Sequence, residues 1–233
     1  MIGITFATVI SIGLPLTALL YACCKKRYIP FVLGVLAFVV SQVLIRIPIL
    51  QYLGEHSTVY SMFSAMQPVL FAIVIGLSAG IFEELARFIS MRFFMVQRDW
   101  QSGFFFGAGH GGIEAVLFVG SSAVFLLFSS TAIAYSNTYF ISNTYFISGI
   151  ERFFAMLLHI GLSIIVLQGV VRKRFLYVVL AIIIHGVVDA LAGILPLYVP
   201  KDSALLVVEV TVAIIALAVF NYSLWIKRKG VLQ

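Results

Sequence analysis

Apolar stretches of spanning length, separated by short polar segments, recur from one end of the chain to the other. Seven qualify, running approximately from Ile2 to Cys24, Ile29 to Leu53, Val69 to Met91, Gly103 to Phe128, Gly149 to Val171, Phe175 to Leu195 and Ala204 to Ile226. About 20 apolar residues at about 1.5 Å each carry a helix across a hydrocarbon core about 30 Å thick. None of the stretches alternates with period two, as the strands of a membrane barrel would. In lipid, moreover, each backbone polar group must be satisfied within its own segment. All seven are therefore expected to be helices. The fold class is all-α: a polytopic membrane protein, built as a bundle of about seven transmembrane helices.

Composition agrees. The 233 residues are 62% hydrophobic and 10% charged, where a soluble domain has about 45 to 50% and about 25%. With a mean hydropathy of +1.13, an ordinary soluble globule is excluded. The net charge of +6 does not point to nucleic acid, because the Lys and Arg residues fall in small clusters between apolar segments rather than along one face. Eleven of the 15 follow spans one, three, five and seven: Lys25, Lys26, Arg27, Arg92, Arg98, Arg172, Lys173, Arg174, Lys227, Arg228 and Lys229. The even-numbered connections hold only Arg152 and Lys201. The positive-inside rule then places the N-terminus outside and the C-terminus in the cytoplasm of a multi-pass cell-membrane protein. Cys23 and Cys24 are adjacent and imply no disulfide. The first span lacks a preceding basic region and is expected to be retained rather than cleaved as a signal peptide. Between spans four and five, SNTYFI occurs twice, at Ser136 to Ile141 and Ser142 to Ile147; this uncharged duplication is expected in a surface loop. No longer repeat is evident, which counts against an inverted-repeat transporter.

The picture changes inside the spans. Glu83, Glu84 and Arg87 lie in the third, His110 and Glu114 in the fourth, His159 in the fifth, and His185 and Asp189 in the sixth. The five formally charged members would cost about 2.5 to 3.5 kcal/mol each at a bilayer centre, on the order of 12 to 17 kcal/mol together if unpaired. A cost of that size implies clustering in the bundle interior. Counting from the cytoplasmic flanking charges puts Glu84, His110, His159 and His185 roughly 12 to 20 Å deep, and Glu114 and Asp189 about 22 Å deep. One shared site, in the cytoplasmic half to midplane, accounts for the overlap.

His110 and Glu114 are four apart, as are His185 and Asp189, so each pair occupies one helix face and is expected to point into one cavity. Glu83 and Arg87, also four apart, are expected to neutralise each other, leaving Glu84, turned about 100° away, free to face elsewhere. Arg46, nearer the end of its span, is expected to snorkel or mark a kink. Glu209 reads as a lesser interior partner and His56 as a solvated loop residue. Gly103, Gly107, Gly109, Gly111 and Gly112 allow close approach to the fourth span.

Histidines and carboxylates at one depth form an N/O ligand set suited to Zn2+, drawn from His110, Glu114, His159, His185 and Asp189. A further carboxylate is then left to activate water. A histidine with a carboxylate one turn away can serve as two ligands, or as one ligand whose tautomer the carboxylate holds. HExxH is absent, so the zincin motif gives no support. Residues 1–233 are taken as a single transmembrane domain, with a catalytic core of about 69–195 and flanking helices at 2–53 and 204–226.

FEELAR at Phe82 to Arg87, GAGHGGIEA at Gly107 to Ala115, His159 in LLHIGLSIIV, and HGVVD at His185 to Asp189 resemble, in order and spacing, the YhfC-type intramembrane metalloproteases. That group is similar in turn to the PrsW and CAAX prenyl endopeptidases. The resemblance covers spans three to six, about half the chain. It implies that Glu83 or Glu84 supplies the water-activating carboxylate with Arg87 as electrostatic partner, and that Glu114 occupies the second-motif position. It further implies that His159 is the histidine of the following helix, and that His185 with Asp189 binds metal or stabilises the oxyanion. The implied activity is hydrolysis of a membrane-protein or lipidated-peptide substrate within lipid, with no nucleic-acid partner. A proton- or metal-ion-coupled transporter, or a non-catalytic membrane scaffold, would use similar residues, but clustering at one depth favours a site over a path.

Overall fold

The computed structural model describes residues 1–128 and 138–232. Eight helices make up nearly all of this: α1 (Ile2–Cys24), α2 (Tyr28–His56), α3 (Thr58–Met66), α4 (Pro68–Phe94), α5 (Trp100–Phe128), α6 (Thr138–Arg172), α7 (Leu176–Tyr198) and α8 (Lys201–Arg228). All but α3 are long and apolar enough to span a membrane, and no strand occurs among the described residues. The seven expected spans are all present, and α3 is an additional short helix. The structural reason is local: Ser57 caps α3, its Oγ accepting a hydrogen bond from the Tyr60 N–H at 3.2 Å, and Pro68 stands at the start of α4, where its missing N–H costs nothing.

Tight turns join the spans at the lysine- and arginine-rich end. Lys26 (φ 56°) and Lys173 (φ 53°) adopt the left-handed conformation. The next N–H groups, of Arg27 and Arg174, return to the carbonyls of Ala22 at 2.7 Å and Gly169 at 3.0 Å, closing the ends of α1 and α6. This end is tied across the bundle. Arg27 pairs with Asp99 at 2.5 Å, Asp99 caps α5 by accepting from the Ser102 N–H at 2.8 Å, and Lys227 lies 4.2 Å from the Trp100 ring centroid.

Six spans form a ring in the order α2, α4, α7, α8, α6, α5 and back to α2, while α1 packs outside against α5 and α6. The hydrophobic stretch of α6 is 83% buried, against 22 to 39% in the others, so α6 is the most enclosed member of the ring and the rest expose apolar side chains to lipid. Several close approaches need glycine, two of them at helix crossings beside the site. A Cβ on Gly34 would sit 2.0 Å from the Phe106 carbonyl oxygen, where α2 meets α5, and one on Gly76 2.5 Å from the Gly186 carbonyl oxygen, where α4 meets α7.

Several spans contain π-helical turns, at Val9–Gly13, Val39–Arg46, Ser90–Phe94 and Val116–Gly120. The one in α2 carries Gln42 and Arg46 and turns both toward α4. The second copy of the duplicated hexapeptide is not a surface loop. It forms part of the first turns of α6, where the Ser142 hydroxyl accepts a hydrogen bond from the Gly3 N–H at 3.0 Å. Ser136 and Asn137 of the first copy lie outside the described residues.

Candidate functional site

The ionisable residues of α4 to α7 converge in one buried cluster. Glu83, Glu84, Arg87, His110, His159 and His185 are each no more than 5% exposed. The His159 ring centroid lies 5.0 Å from that of His110 and 5.3 Å from that of His185. A cavity of about 360 Å³ stands against the cluster, with Glu83, Glu114, His159, His185 and Asp189 in its wall. A larger groove, of about 510 Å³, lies between α2 and α4 and has no ionisable side chain in its lining.

The two adjacent glutamates face different ways. Glu83 turns to the cavity: its Oε1 accepts from Gln42 Nε2 at 2.7 Å, and its Oε2 lies 2.9 Å from His110 Nε2. Glu84 is sealed behind it, with Oε1 2.8 Å from His185 Nδ1 and Oε2 3.4 Å from the Arg87 guanidinium. The expected Glu83 to Arg87 neutralisation is thus replaced by Glu84 to Arg87. On α4 the three-residue spacing also brings two side chains together, and Glu83 has partners on α2 and α5 instead.

These contacts assign protons. A guanidinium only donates, and Arg87 donates to both the carbonyl and Nδ1 of His159, at 3.3 and 3.1 Å. A neutral His159 then carries its proton on Nε2, which lies 2.5 Å from Glu114 Oε2. In a neutral His185 the reverse holds. Its Nδ1–H donates to Glu84, leaving Nε2 as a lone pair 3.7 Å from Glu83 Oε2 and 3.8 Å from Asp189 Oδ2. Two carboxylate oxygens thus flank that lone pair, an arrangement that a bound cation satisfies.

Glu83, His159 and His185 form a group whose ligand atoms lie within 4.8 Å of one another. The donor set therefore fits a metal, with Glu83 and a neutral His185 offering lone pairs and Asp189 beside them. His159 becomes a ligand through Nε2 only if its proton moves to Nδ1, which requires Arg87 to give up that contact. His110 is engaged through Nε2 with Glu83, and its Nδ1 has no hydrogen-bond partner. Glu114 is held from the other side by Arg152 at 2.8 Å.

Four participants escaped the sequence reading. Arg152, counted with a connection although it falls inside the fifth expected span, lies on α6, which begins at Thr138; it bridges Glu114 to Glu151. Arg46 does not snorkel. It donates to Ser78 Oγ, Gln42 Oε1 and the Ile75 carbonyl, at 3.0, 3.0 and 2.8 Å. Gln42 and Glu151 complete the set, and a lone amide in the middle of an apolar span was the available signal for Gln42. Glu209 does line the cavity. His56 ends α2, exposed, with its ring stacked on Tyr52.

Comparison with known proteins bears on the same segments. The chain matches the model of a family described as "YhfC intramembrane metalloprotease" over residues 10–141 and 130–216. It is 36% identical over 195 residues to a Bacillus subtilis (strain 168) protein named "Uncharacterized membrane protein YhfC", covering 72% of this chain and 73% of that relative. No solved structure matches.

Proposed function

Because the chain belongs to the YhfC family of intramembrane metalloproteases, we propose that it is a peptide hydrolase that cleaves a membrane-embedded or lipidated protein, with Zn2+ held by Glu83, His185 and Asp189. The observation that carries the reading is the pair of carboxylates beside His185 at the cavity floor, where Nε2 lies 3.7 Å from Glu83 Oε2 and 3.8 Å from Asp189 Oδ2. Bound zinc would supply Lewis acidity, polarising the scissile carbonyl and acidifying a water.

The remaining side chains divide the proton work. Glu84 and Arg87 stay out of contact with substrate. Glu84 holds His185 in the Nδ1–H tautomer, and Arg87 holds His159 in the Nε2–H tautomer. Glu114 is the carboxylate that takes the proton of the attacking water, and Arg152 keeps it oriented. Glu114, once protonated, is also the donor for the leaving amine, and His159 Nε2–H holds its Oε2 in place. Water adds across the amide and nothing else is consumed. A transport path would have to continue past the floor, where Leu162, Ala181 and Met91 are fully buried.

The test separates binding from chemistry. Purified wild type is expected to contain stoichiometric zinc and to cleave a pool of membrane-protein and lipidated peptides. Glu83→Ala and His185→Ala should lose the metal, whereas His159→Ala and Glu114→Gln should retain it and lose cleavage. Zinc-free wild type that still cleaves would refute the metal assignment, and zinc lost from all four variants alike would refute the division of roles.

A further inference from the structure

The cavity has a direction. On each of the six ring helices its lining begins at the ionisable cluster and continues only toward the end of the bundle that bears the 56–58 and 198–200 connections. On α2 it runs from Phe38 to Ile47, on α7 from His185 to Ala192, and on α8 from Val212 back to Val208. Exposure rises the same way. His185 is 3% exposed, the Asp189 side chain is 41% exposed, and Ala192, one turn further, is exposed.

In the opposite direction the bundle is closed. The next residues toward the lysine- and arginine-rich end, Arg87 and Met91 on α4, Leu162 on α6 and Ala181 on α7, are fully buried. Arg27 and Asp99 tie the loops together at that end. The cavity is therefore a blind vestibule with one mouth, about 10 Å along α7 from His185 to Ala192 and a further 9 Å or so from Ala192 to the helix end at Tyr198.

We infer that water and substrate reach the floor from the face opposite the basic loops. By the charge bias of the connections that face is the non-cytoplasmic one. The substrate class follows, given the hydrolase reading on which this rests: a polypeptide segment presented at the outer leaflet, not a cytoplasmic tail. A cytoplasmic segment would have to displace the Glu84–Arg87–His159 assembly and the packed side chains beneath it, and an outer segment needs only to replace water.

Accessibility tests this without any proteolysis. The chain carries a built-in reporter of the basic end in Cys23 and Cys24, both exposed. In a Cys23→Ser, Cys24→Ser background, Ala192→Cys is introduced at the mouth, with Val208→Cys on α8 as a second probe should the first fail to fold. A membrane-impermeant maleimide is applied to intact cells and to inverted vesicles. Expected is labelling of Ala192→Cys or Val208→Cys in intact cells, while the native cysteines of wild type label only in inverted vesicles. Labelling of both sets from one side, of the mouth probes from the cytoplasmic side, or of folded mouth probes from neither side overturns the inference. Outer labelling in a protein that cleaves no peptide would instead leave the vestibule standing and remove the hydrolase.

Discussion

Arg87 holds the site together through what would be left without it. It is fully buried beside a fully buried Glu84, and removing one member of such a pair leaves an uncompensated charge, a loss of about 3 to 5 kcal/mol. Arg87→Ala is expected to lower the Tm in detergent sharply. Arg87→Lys, with no planar fork to reach both Glu84 and His159, should fold better than the alanine variant but lose cleavage. Thermal melts alongside peptide turnover check both outcomes. Glu84→Ala tests the tautomer argument: with Nδ1 of His185 unsupported, metal affinity should fall about 10- to 100-fold, measured by competition with a chelator of known affinity. An affinity equal to wild type would show that Glu84 does not orient the ligand. The presence of these residues in the site was legible from charge in an apolar context alone. Their partners were not: i,i+3 and i,i+4 contacts are both allowed on one helix, and only the rotation of α4 against α2, α5 and α7 turns Glu83 to the cavity and Glu84 away from it.

At the scale of elements, the close crossings fix that rotation. Gly34→Val places side-chain atoms into the α5 backbone at Phe106. Overpacking usually costs about 1 to 3 kcal/mol, and here the obstacle is backbone, so a loss at or above that range is expected as a lower Tm and a lower yield of folded protein. Asp99→Ala removes a helix cap and the partner of Arg27. About 0.5 to 2 kcal/mol of stability should go with the cap, with zinc content unchanged, because α5 is weakened at its far end from the site. Metal analysis and melting of the same sample decide it. Span positions were readable because lipid imposes both length and apolarity. The start of α6 was less so, since SNTYFI is polar enough to resemble a loop and becomes helical where Ser142 meets the first turn of α1. The π-helical segment of α2 left no recognisable pattern, although it delivers Gln42 and Arg46 to the cluster.

For the whole molecule, a ring of six spans that encloses the ionisable cluster explains how a chain that is 10% charged keeps that cluster paired while its outer surface meets lipid. If a resident metal bridges α4 and α7 at the floor, chelation should loosen that contact. Treatment of the purified protein with a strong chelator is expected to lower the Tm, and added Zn2+ to restore it, by the linkage of binding to the folded state. A Tm indifferent to both would count against a metal shared between helices. Helicity, span number and the depth of the ionisable residues were set by the sequence itself. They follow from local requirements, namely hydrogen-bond closure within a segment, hydrocarbon thickness and the cost of charge in lipid. Which glutamate faces the cavity, which histidine presents a lone pair, the inward turn of Arg46 and Arg152, and the single mouth of the vestibule were decided only by tertiary packing. Each depends on how one helix is rotated and raised against another, and that information is shared among residues from helices far apart along the chain.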